Sequence, residues 1–467
     1  VQLSVLSVAA IIIGLPPRQE GNGVASSIGS KAAAYLWDMI WVTAMATLGV
    51  LPLIMYYFNS VSMVGVLVNL VAVPISGGLV VALGLFSAVV LFLWHPLGIW
   101  GFKVCGVLLD GNIRMIKWAA SWPFSAIDTV TPNGFEIALY YLTLTCAMNL
   151  YLGWKNRTRQ EMRNRLLWRI LMVCAIAWMV DAGYWAHRRY GGKDLKVSVL
   201  DVGQGTSVLL EFPGGPVALV DGGGFNDNTI FDVGKNVLGP YLARNKIRTV
   251  DTVILSHPNA DHLNGLLHIL DHFHVHEFWS NGQRKQTAGY EKLMEIISRR
   301  GIKAPSLAQI GRSHEINGVA VDILHPQQNN PIWKAALSEK EGNDQSIVMK
   351  VTYRNKSILL PGDIEAAAET ELCGRKNAGL AATVLISPHH GSRTSSTSGF
   401  LKLVRPEWVI VSYGKNNRFG FPAREVMGRY HAMGANVLTT AENGAVFLRI
   451  DSGPLQIDTV KGSPIPW

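Results

Sequence analysis

Between Val253 and Gly265 the chain reads VILSHPNADHLNG, and His257, Asn259, Asp261 and His262 crowd into six consecutive residues of it. An apolar strand pattern runs into this cluster, and a helical pattern from Leu263 to Leu270 follows directly. Imidazoles and a carboxylate gathered at the carboxyl end of a strand are metal ligands placed where clefts form. His257 and Asp261 are four apart and Asp261 adjoins His262, so a turn entering a helix can aim neighbouring groups at two metal positions. The chemistry such a site performs is metal-assisted hydrolysis.

Other candidates follow the same rule of a strand running into a Gly, Asp or His loop. Asp363 follows SILL, His389 and His390 follow ATVLIS, and Asp221 follows VALV. A lone Pro-Gly-Asp is ordinarily a turn, and only its setting makes Asp363 a ligand candidate. One of His389 and His390 would complete the coordination while the other packs or meets substrate. Asp201 and Gln204 lie in a Gly-rich loop whose glycines permit positive φ and close backbone approach, as a structural turn or as a phosphate cradle. Ser392, Arg393 and Thr394 offer hydroxyls and a guanidinium of the kind that hold phosphates, or form a polar loop with no ligand. In DHFHVHEF, His272, His274 and His276 fall at strand alternation and read as solvated side chains. His314, His325 and His431 lack suitable partners and are given no role.

The elements that must position these residues belong to two halves. With 49% hydrophobic and 16% charged residues the chain is too apolar for an ordinary soluble enzyme. Residues before about 190 carry long apolar runs, whereas 11 of the 13 histidines lie after that point. The expected division is a membrane region over 1–190 and a soluble domain over 194–467. About five segments approach the roughly 20 apolar residues of a membrane helix. They are a tail ending near Leu15, Ala33 to Phe58, Val61 to Trp94, Phe135 to Leu152, and Trp168 to Trp185. Asn69, Pro74, Gly77 and Gly78 interrupt the third, as a broken helix beside a conduit or as a kinked helix packed on neighbours. Lys103, Asp110, Arg114 and Lys117 form one stripe of an interfacial helix between Trp100 and Trp122, lying on the membrane surface or guiding a nucleic acid.

Lys155 to Arg169 holds six basic residues and one Glu, against four basic residues from Arg188 to Lys196. The positive-inside rule places the former in the cytoplasm, which turns the C-terminal domain outward. The net charge of +9 suits a polyanionic partner or an anionic lipid surface. The four scattered cysteines imply neither a disulfide framework nor a zinc ribbon. The chain opens on Val1 inside an apolar run and reads as a piece of something longer.

The cluster resembles the metallo-β-lactamase superfamily motif H-x-[HD]-x-D-H. With LDVGQG (200–205), VDGGG (220–224), SHPNADH (256–262), NDQS (343–346), PGD (361–363), HHGSRTSS (389–396) and NRFGFP (417–422) in order, the chain is similar to the ComEC competence family. In the membrane half the likeness rests on hydrophobic layout and on LSVAAIIIG and FNSVSMVGVLVNLVAVP. The resemblance implies an α-helical polytopic membrane region followed by an α/β metallo-β-lactamase-like αββα sandwich. It implies one or two divalent ions, Mn²⁺ favoured and Zn²⁺ the alternative, held by His257, Asn259, Asp261, His262, Asp363 and His389. Asp261, His262 and His390 would do the catalysis, Asp221 and Asp201 would support them, and Ser392, Arg393 and Thr394 would touch nucleic acid.

The implied task is DNA uptake in natural transformation at the bacterial inner membrane. One strand would pass through the membrane region while an outward nuclease degrades the other. DNA, membrane lipid, other competence proteins and a second copy of the chain are the implied partners. Two departures matter. Asn259 stands where the pattern has His or Asp, and its neutral amide is a weaker ligand. Phe421 replaces a late His. They motivate a rival, a transport protein with an inactive hydrolase module; a membrane-attached small-molecule hydrolase such as a lactonase is the other.

Overall fold

A computed structural model of the chain describes residues 2–14, 28–155, 161–326, 342–375 and 379–461. They divide into two compact units, Val1–Asp181 with Ala243–Asn245, and Ala182–Leu242 with Lys246–Trp467. Part of the basic run from Lys155 to Arg169 lies outside the described residues.

The first unit is built from helices α1 (Gln2–Gly14), α2 (Ile28–Phe58), α3 (Gly65–Val73), α4 (Val81–Leu93), α5 (His95–Ala120), α6 (Gly134–Lys155) and the part of α7 (Glu161–Tyr190) up to Asp181. Four stretches among the described residues are long and apolar enough to cross a membrane: Trp37–Phe58, Gly65–Leu93, Gly134–Trp154 and Glu161–Tyr190. They correspond to four of the five expected segments, and the tail ending near Leu15 forms the 13-residue α1 at the start of the given sequence. In α5 the stripe of Lys103, Asp110, Arg114 and Lys117 is exposed, with Asp110 and Arg114 paired at 2.8 Å.

The interruption at Pro74, Gly77 and Gly78 is a π-helical turn, Pro74–Val80, that joins α3 to α4 without unwinding the backbone. A π turn displaces carbonyls from their usual partners, and α5 supplies replacements. Buried Asn112 donates Nδ2–H to the Ala72 carbonyl at 3.2 Å, and Cys105 Sγ lies 3.7 Å from the Val80 carbonyl. A short antiparallel pair, β1 (Ser60–Ser62) with β2 (Ala126–Asp128), closes the loops. Cys105, Cys146 and Cys174 are buried free thiols and Cys373 is half-buried.

The second unit contains β3 (Leu195–Val199), β4 (Val208–Glu211), β5 (Val217–Val220), β6 (Thr249–Leu255), β7 (His274–Ser280), β8 (Ser313–Ile316), β9 (Val319–His325), β10 (Val348–Tyr353), β11 (Lys356–Leu360), β12 (Val384–Ile386), β13 (Trp408–Val411), β14 (Asn436–Thr439), β15 (Val446–Ile450) and β16 (Gln456–Thr459). They form two seven-stranded sheets, ordered β16-β15-β3-β4-β5-β6-β7 and β14-β13-β12-β11-β10-β9-β8. Each sheet is antiparallel on one side and parallel on the other, with β5, β6 and β7 parallel in the first and β11 to β14 parallel in the second.

Three apolar layers hold these sheets. Val197, Val199, Leu210, Val220, Ile254, Val321, Val351, Ile358 and Ile386 interdigitate between them. The outer face of the first sheet is covered by α8 (Gly239–Arg244), α9 (Ala260–His272) and α10 (Ala288–Arg300), and that of the second by Ala366–Cys373, Ser398–Val404 and Arg424–Ala432. The result is the four-layer αββα sandwich. Because central strands are covered on both faces, they read as continuous apolar runs rather than alternating ones.

Helix α9 follows β6 because Leu263, Leu266, Leu267 and Leu270 recur at helical spacing and are all buried. His272 ends this helix, so of the DHFHVHEF histidines only His274 and His276 alternate on a strand, both exposed. Leu266 is fully buried on the helix that carries Asp261 and His262. Leu266→Ala is therefore expected to cost about 2–5 kcal/mol and to lower the denaturation midpoint of the detergent-solubilised chain, read by urea titration.

Candidate metal centre

The parallel portions of both sheets end at one edge, and the loops leaving those strand ends carry the candidates. Asp221 leaves β5, His257 to His262 leave β6, Asp363 leaves β11, and His389 and His390 leave β12. Asp261, His262, Asp363 and His390 offer ligand atoms that all lie within 4.8 Å of one another. Asp363 is the hub. Its Oδ1 is 3.1 Å from His262 Nε2, and its Oδ2 is 3.5 Å from His390 Nε2, 3.9 Å from His389 Nε2 and 4.0 Å from His257 Nε2. Asp261 Oδ2 is 3.6 Å from His390 Nε2.

Two imidazoles are fixed from behind. His262 Nδ1 lies 2.8 Å from Asp221 Oδ2, and Asp221 also accepts the Ser256 backbone N–H and hydroxyl, each at 2.7 Å. His390 Nδ1 donates to the Ser412 carbonyl at 3.0 Å, which leaves Nε2 to face the carboxylates. A partner on one ring nitrogen orients the other toward a metal. The backbone is bent to achieve this: Asp221, His389 and His390 have φ of 57°, 48° and 54°, a left-handed conformation costly for residues with a Cβ.

Burial disfavours charge at each group, yet the groups charge one another. Burial pushes His262 down, but Asp363 and Asp221 outweigh it and hold the imidazole well above its ordinary range. His390 is pushed up to about 9, burial again being outweighed by Asp363 and Asp261. Burial raises Asp363, and the His262 and His390 imidazoles outweigh it to hold the carboxyl well below its ordinary value. Asp261 is likewise held low against burial by the His390 and His262 imidazoles beside it. His257 is pushed down to about 4, by burial and then by His262. The two carboxylates thus demand positive charge, which protons on His262 and His390 or a divalent cation can supply.

The donor set fits a cation. The Nε2 atoms of His257, His262 and His390 are buried and have no hydrogen-bond partner, a state that buried polar atoms seldom adopt without a ligand. Mixed carboxylate and imidazole donors suit Mn²⁺ or Zn²⁺.

The remaining candidates fall around this cluster. Asn259 begins α9 but its side chain does not cap it. Instead Oδ1 accepts from Lys285 Nζ at 2.7 Å and Nδ2 donates to Asn343 Oδ1 at 2.9 Å. His389 Nδ1 is 3.1 Å from Glu365 Oε1. Asp201 accepts its own loop's Gly203 N–H and lines the cleft without reaching the cluster. In that loop Gly205 has φ of 90°, and a Cβ there would lie 1.7 Å from the Asp261 carbonyl oxygen. The LDVGQG turn is thus a wedge that seats the Asp261 backbone. Ser392 bonds Thr394 through their hydroxyls at 2.9 Å, and exposed Arg393 lies 3.4 Å from Glu425; none of the three lines the cleft. Phe421 packs its ring 5.6 Å from that of His389.

Sequence reasoning gave no role to Ser256, Ser412, Asn343, Glu365 and Lys285. Ser256 and Asn343 stand inside quoted words, SHPNADH and NDQS. Lys285 follows β7 with no local signal and arrives only through the fold.

Above the cluster opens a cleft of about 1490 Å³. Its walls include Phe225, Phe231, Phe419 and Phe421, with Lys285, Lys415 and Arg418 among them.

Residues 1–154 match the family model described as Competence protein, and residues 200–415 match that of the metallo-beta-lactamase superfamily. ComE operon protein 3 of Bacillus subtilis is 24% identical over 91% of this chain and 53% of that protein. Competence protein ComA of Neisseria gonorrhoeae is 26% identical over 89% of this chain and 52% of that protein. The chain spans about half the length of the curated relatives it matches. Among solved structures, Igni18, a metallo hydrolase from Ignicoccus hospitalis, is 18% identical over 55% of this chain and 100% of that one, with a TM-score of 0.36.

Asp221→Asn keeps the shape but weakens the grip on His262 Nδ1. The expected outcome is a loss of about 10–100-fold in metal affinity, read by competition with a chelating dye. Gly205→Ala should instead lower the melting temperature, because neither its φ nor the Asp261 carbonyl can accommodate a Cβ.

Proposed function

We propose that this chain, in which a Competence protein region is joined to a metallo-beta-lactamase superfamily domain, takes part in DNA uptake during natural transformation. In this reading the membrane region, residues 1–190, passes a single strand. The domain over 194–467 hydrolyses phosphodiesters of the strand that is not imported. It is a multi-pass protein of the bacterial inner membrane, with that domain on the outer face, working with other competence proteins.

The observation that carries the reading is the lining of the cleft. Lys285, Lys415 and Arg418 are cations beside the carboxylate cluster, and Phe225, Phe231, Phe419 and Phe421 are flat apolar surfaces among them. Cations that follow a phosphate backbone together with aromatic rings that accept bases are the means of binding a nucleic-acid strand without reading its sequence. The Arg418 guanidinium itself lies 5.2 Å over the Phe419 ring. Ser392, Arg393 and Thr394 are kept as contacts for a phosphate farther along the strand.

A divalent cation at Asp261, His262, Asp363 and His390, Mn²⁺ by preference and Zn²⁺ as the alternative, supplies Lewis acidity to a phosphoryl oxygen and acidifies a water. The chain's own residues divide the remaining work. Asp261 is the more exposed of the two central carboxylates, at 27% against 4% for Asp363, so it can orient the incoming water and accept its proton. Asp363 ties the imidazoles together. Asp221 and the Ser412 carbonyl fix the ring nitrogens so that no reorientation accompanies the reaction. The scissile P–O bond breaks as the water oxygen bonds to phosphorus, and the departing sugar oxygen takes up a proton from solvent to leave as the alcohol.

A second reading, transport with an inactive module, is favoured by the engagement of Asn259 with Lys285. Transformation that survives His257→Ala plus Asp261→Ala would support it. The decisive assay incubates the detergent-solubilised chain with labelled DNA and Mn²⁺, Mg²⁺ or Zn²⁺. Metal-dependent cleavage, abolished by Asp363→Ala, is the expected result; hydrolysis of a lactone with DNA untouched would replace the substrate class. Lys415→Ala plus Arg418→Ala should weaken DNA binding and reduce the salt slope by about 2.

A further inference from the structure

The donors around Asp363 form two groups that are treated differently. On one side Asp261, His262 and His390 converge with Asp363, and the Nε2 atoms of both imidazoles are free of hydrogen bonds. On the other side stand His257, His389 and Asn259, and two of these three have their ligand atoms already engaged. Asn259 Oδ1, the amide atom able to bind a metal, accepts from Lys285 Nζ at 2.7 Å. His389 Nε2 lies 3.3 Å from Asn343 Nδ2, which donates, while Asn343 Oδ1 accepts from Asn259 at 2.9 Å. Lys285, Asn259, Asn343 and His389 thus make one chain of hydrogen bonds across this side. It ends at Glu365, whose Oε1 lies 3.1 Å from His389 Nδ1 and 3.2 Å from Asn343 Nδ2.

The behaviour of Asn259 sets this apart from an ordinary helix start. Asn at the first position of a helix normally accepts one of the unpaired N–H groups. Asn259 has the extended backbone of a cap, φ −80° and ψ 152°, yet its side chain caps nothing. It forgoes that bond to hold a lysine. Lys285 stands two residues ahead of Thr287, which caps α10 through a bond to the Tyr290 N–H, so a rigid helix start lies close behind the lysine.

We propose that the Lys285 ammonium takes the place of a metal cation on the His257, His389 and Asn259 side, so that this chain holds a single divalent ion, at Asp261, His262, Asp363 and His390. The inference rests on the metal-binding reading of the centre. The asymmetry of charge carries it: the Asp261 side adds a carboxylate that faces the imidazoles beside the shared Asp363, whereas on the Asn259 side the added carboxylate, Glu365, is turned to His389 Nδ1 and Asn343 Nδ2 and a cation is already present. A second divalent ion there would have only neutral ligands besides Asp363 and no relief from the repulsion of Lys285. The ammonium instead presents a fixed positive charge to the cleft it lines.

The test counts metal in the full detergent-solubilised chain, stripped with a chelator and re-equilibrated with Mn²⁺. The expected result is one equivalent by elemental analysis and an isolated-ion electron paramagnetic resonance spectrum. Asn259→Asp combined with Lys285→Met should bring the count to two, with the spectrum of an exchange-coupled pair. Lys285→Gln alone, which keeps a polar side chain against Asn259 should the double variant fold poorly, should stay at one. Two equivalents in the unaltered chain would overturn the proposal, as would a folded double variant that still binds one. No metal in the unaltered chain would defeat the metal-binding reading itself.

Discussion

A line of buried charge, Asp221 to His262 to Asp363, ties the second unit together where its two sheets end. Asp221 belongs to the first sheet and Asp363 to the second, and one imidazole lies 2.8 Å from the former and 3.1 Å from the latter. Apolar contacts hold the sheets face to face but are tolerant of sliding. A buried imidazole between two carboxylates is not, because removing either partner leaves a charge uncompensated away from water, a cost of about 3–5 kcal/mol. The register of the sheets at this edge is therefore set by the same groups that offer ligands to a metal.

From this constraint the surrounding devices follow. Asp221, His389 and His390 take up left-handed backbone so that their side chains turn back across the strand ends. Gly205 lets the LDVGQG loop press against the Asp261 carbonyl, and Ser412 reaches from β13 to that loop, its hydroxyl donating to the Gly205 carbonyl at 2.8 Å while its own carbonyl holds His390. Polar groups outside the cluster thus fix those within it.

Much of this was legible in the sequence. Short apolar runs ending in Gly, Asp or His loops gave the edge on which the candidates gather, whereas the sandwich came from the family resemblance and not from periodicity. The periodicity of Leu263 to Leu270 gave α9. Four helices of membrane-crossing length were readable from apolar length. Lys285 was invisible, since its partner Asn259 is 26 residues away and a lysine in a loop carries no spacing signal. The choice between His389 and His390 was equally hidden: adjacent residues differ only in the carbonyl or amide that meets each ring. Within HHGSRTSS, Ser395 and Ser396 are buried and bonded within the fold, which the sequence did not reveal.

The π-helical turn between α3 and α4 has a consequence for the membrane region. A π turn holds one residue more than an α turn, so everything beyond it is rotated by about 100° about the helix axis relative to an unbroken helix. The stripe that α3 presents is not continued by α4. One apolar span thereby offers two different quadrants to its surroundings, and deleting a single residue between Pro74 and Val80 would bring the two halves back into phase.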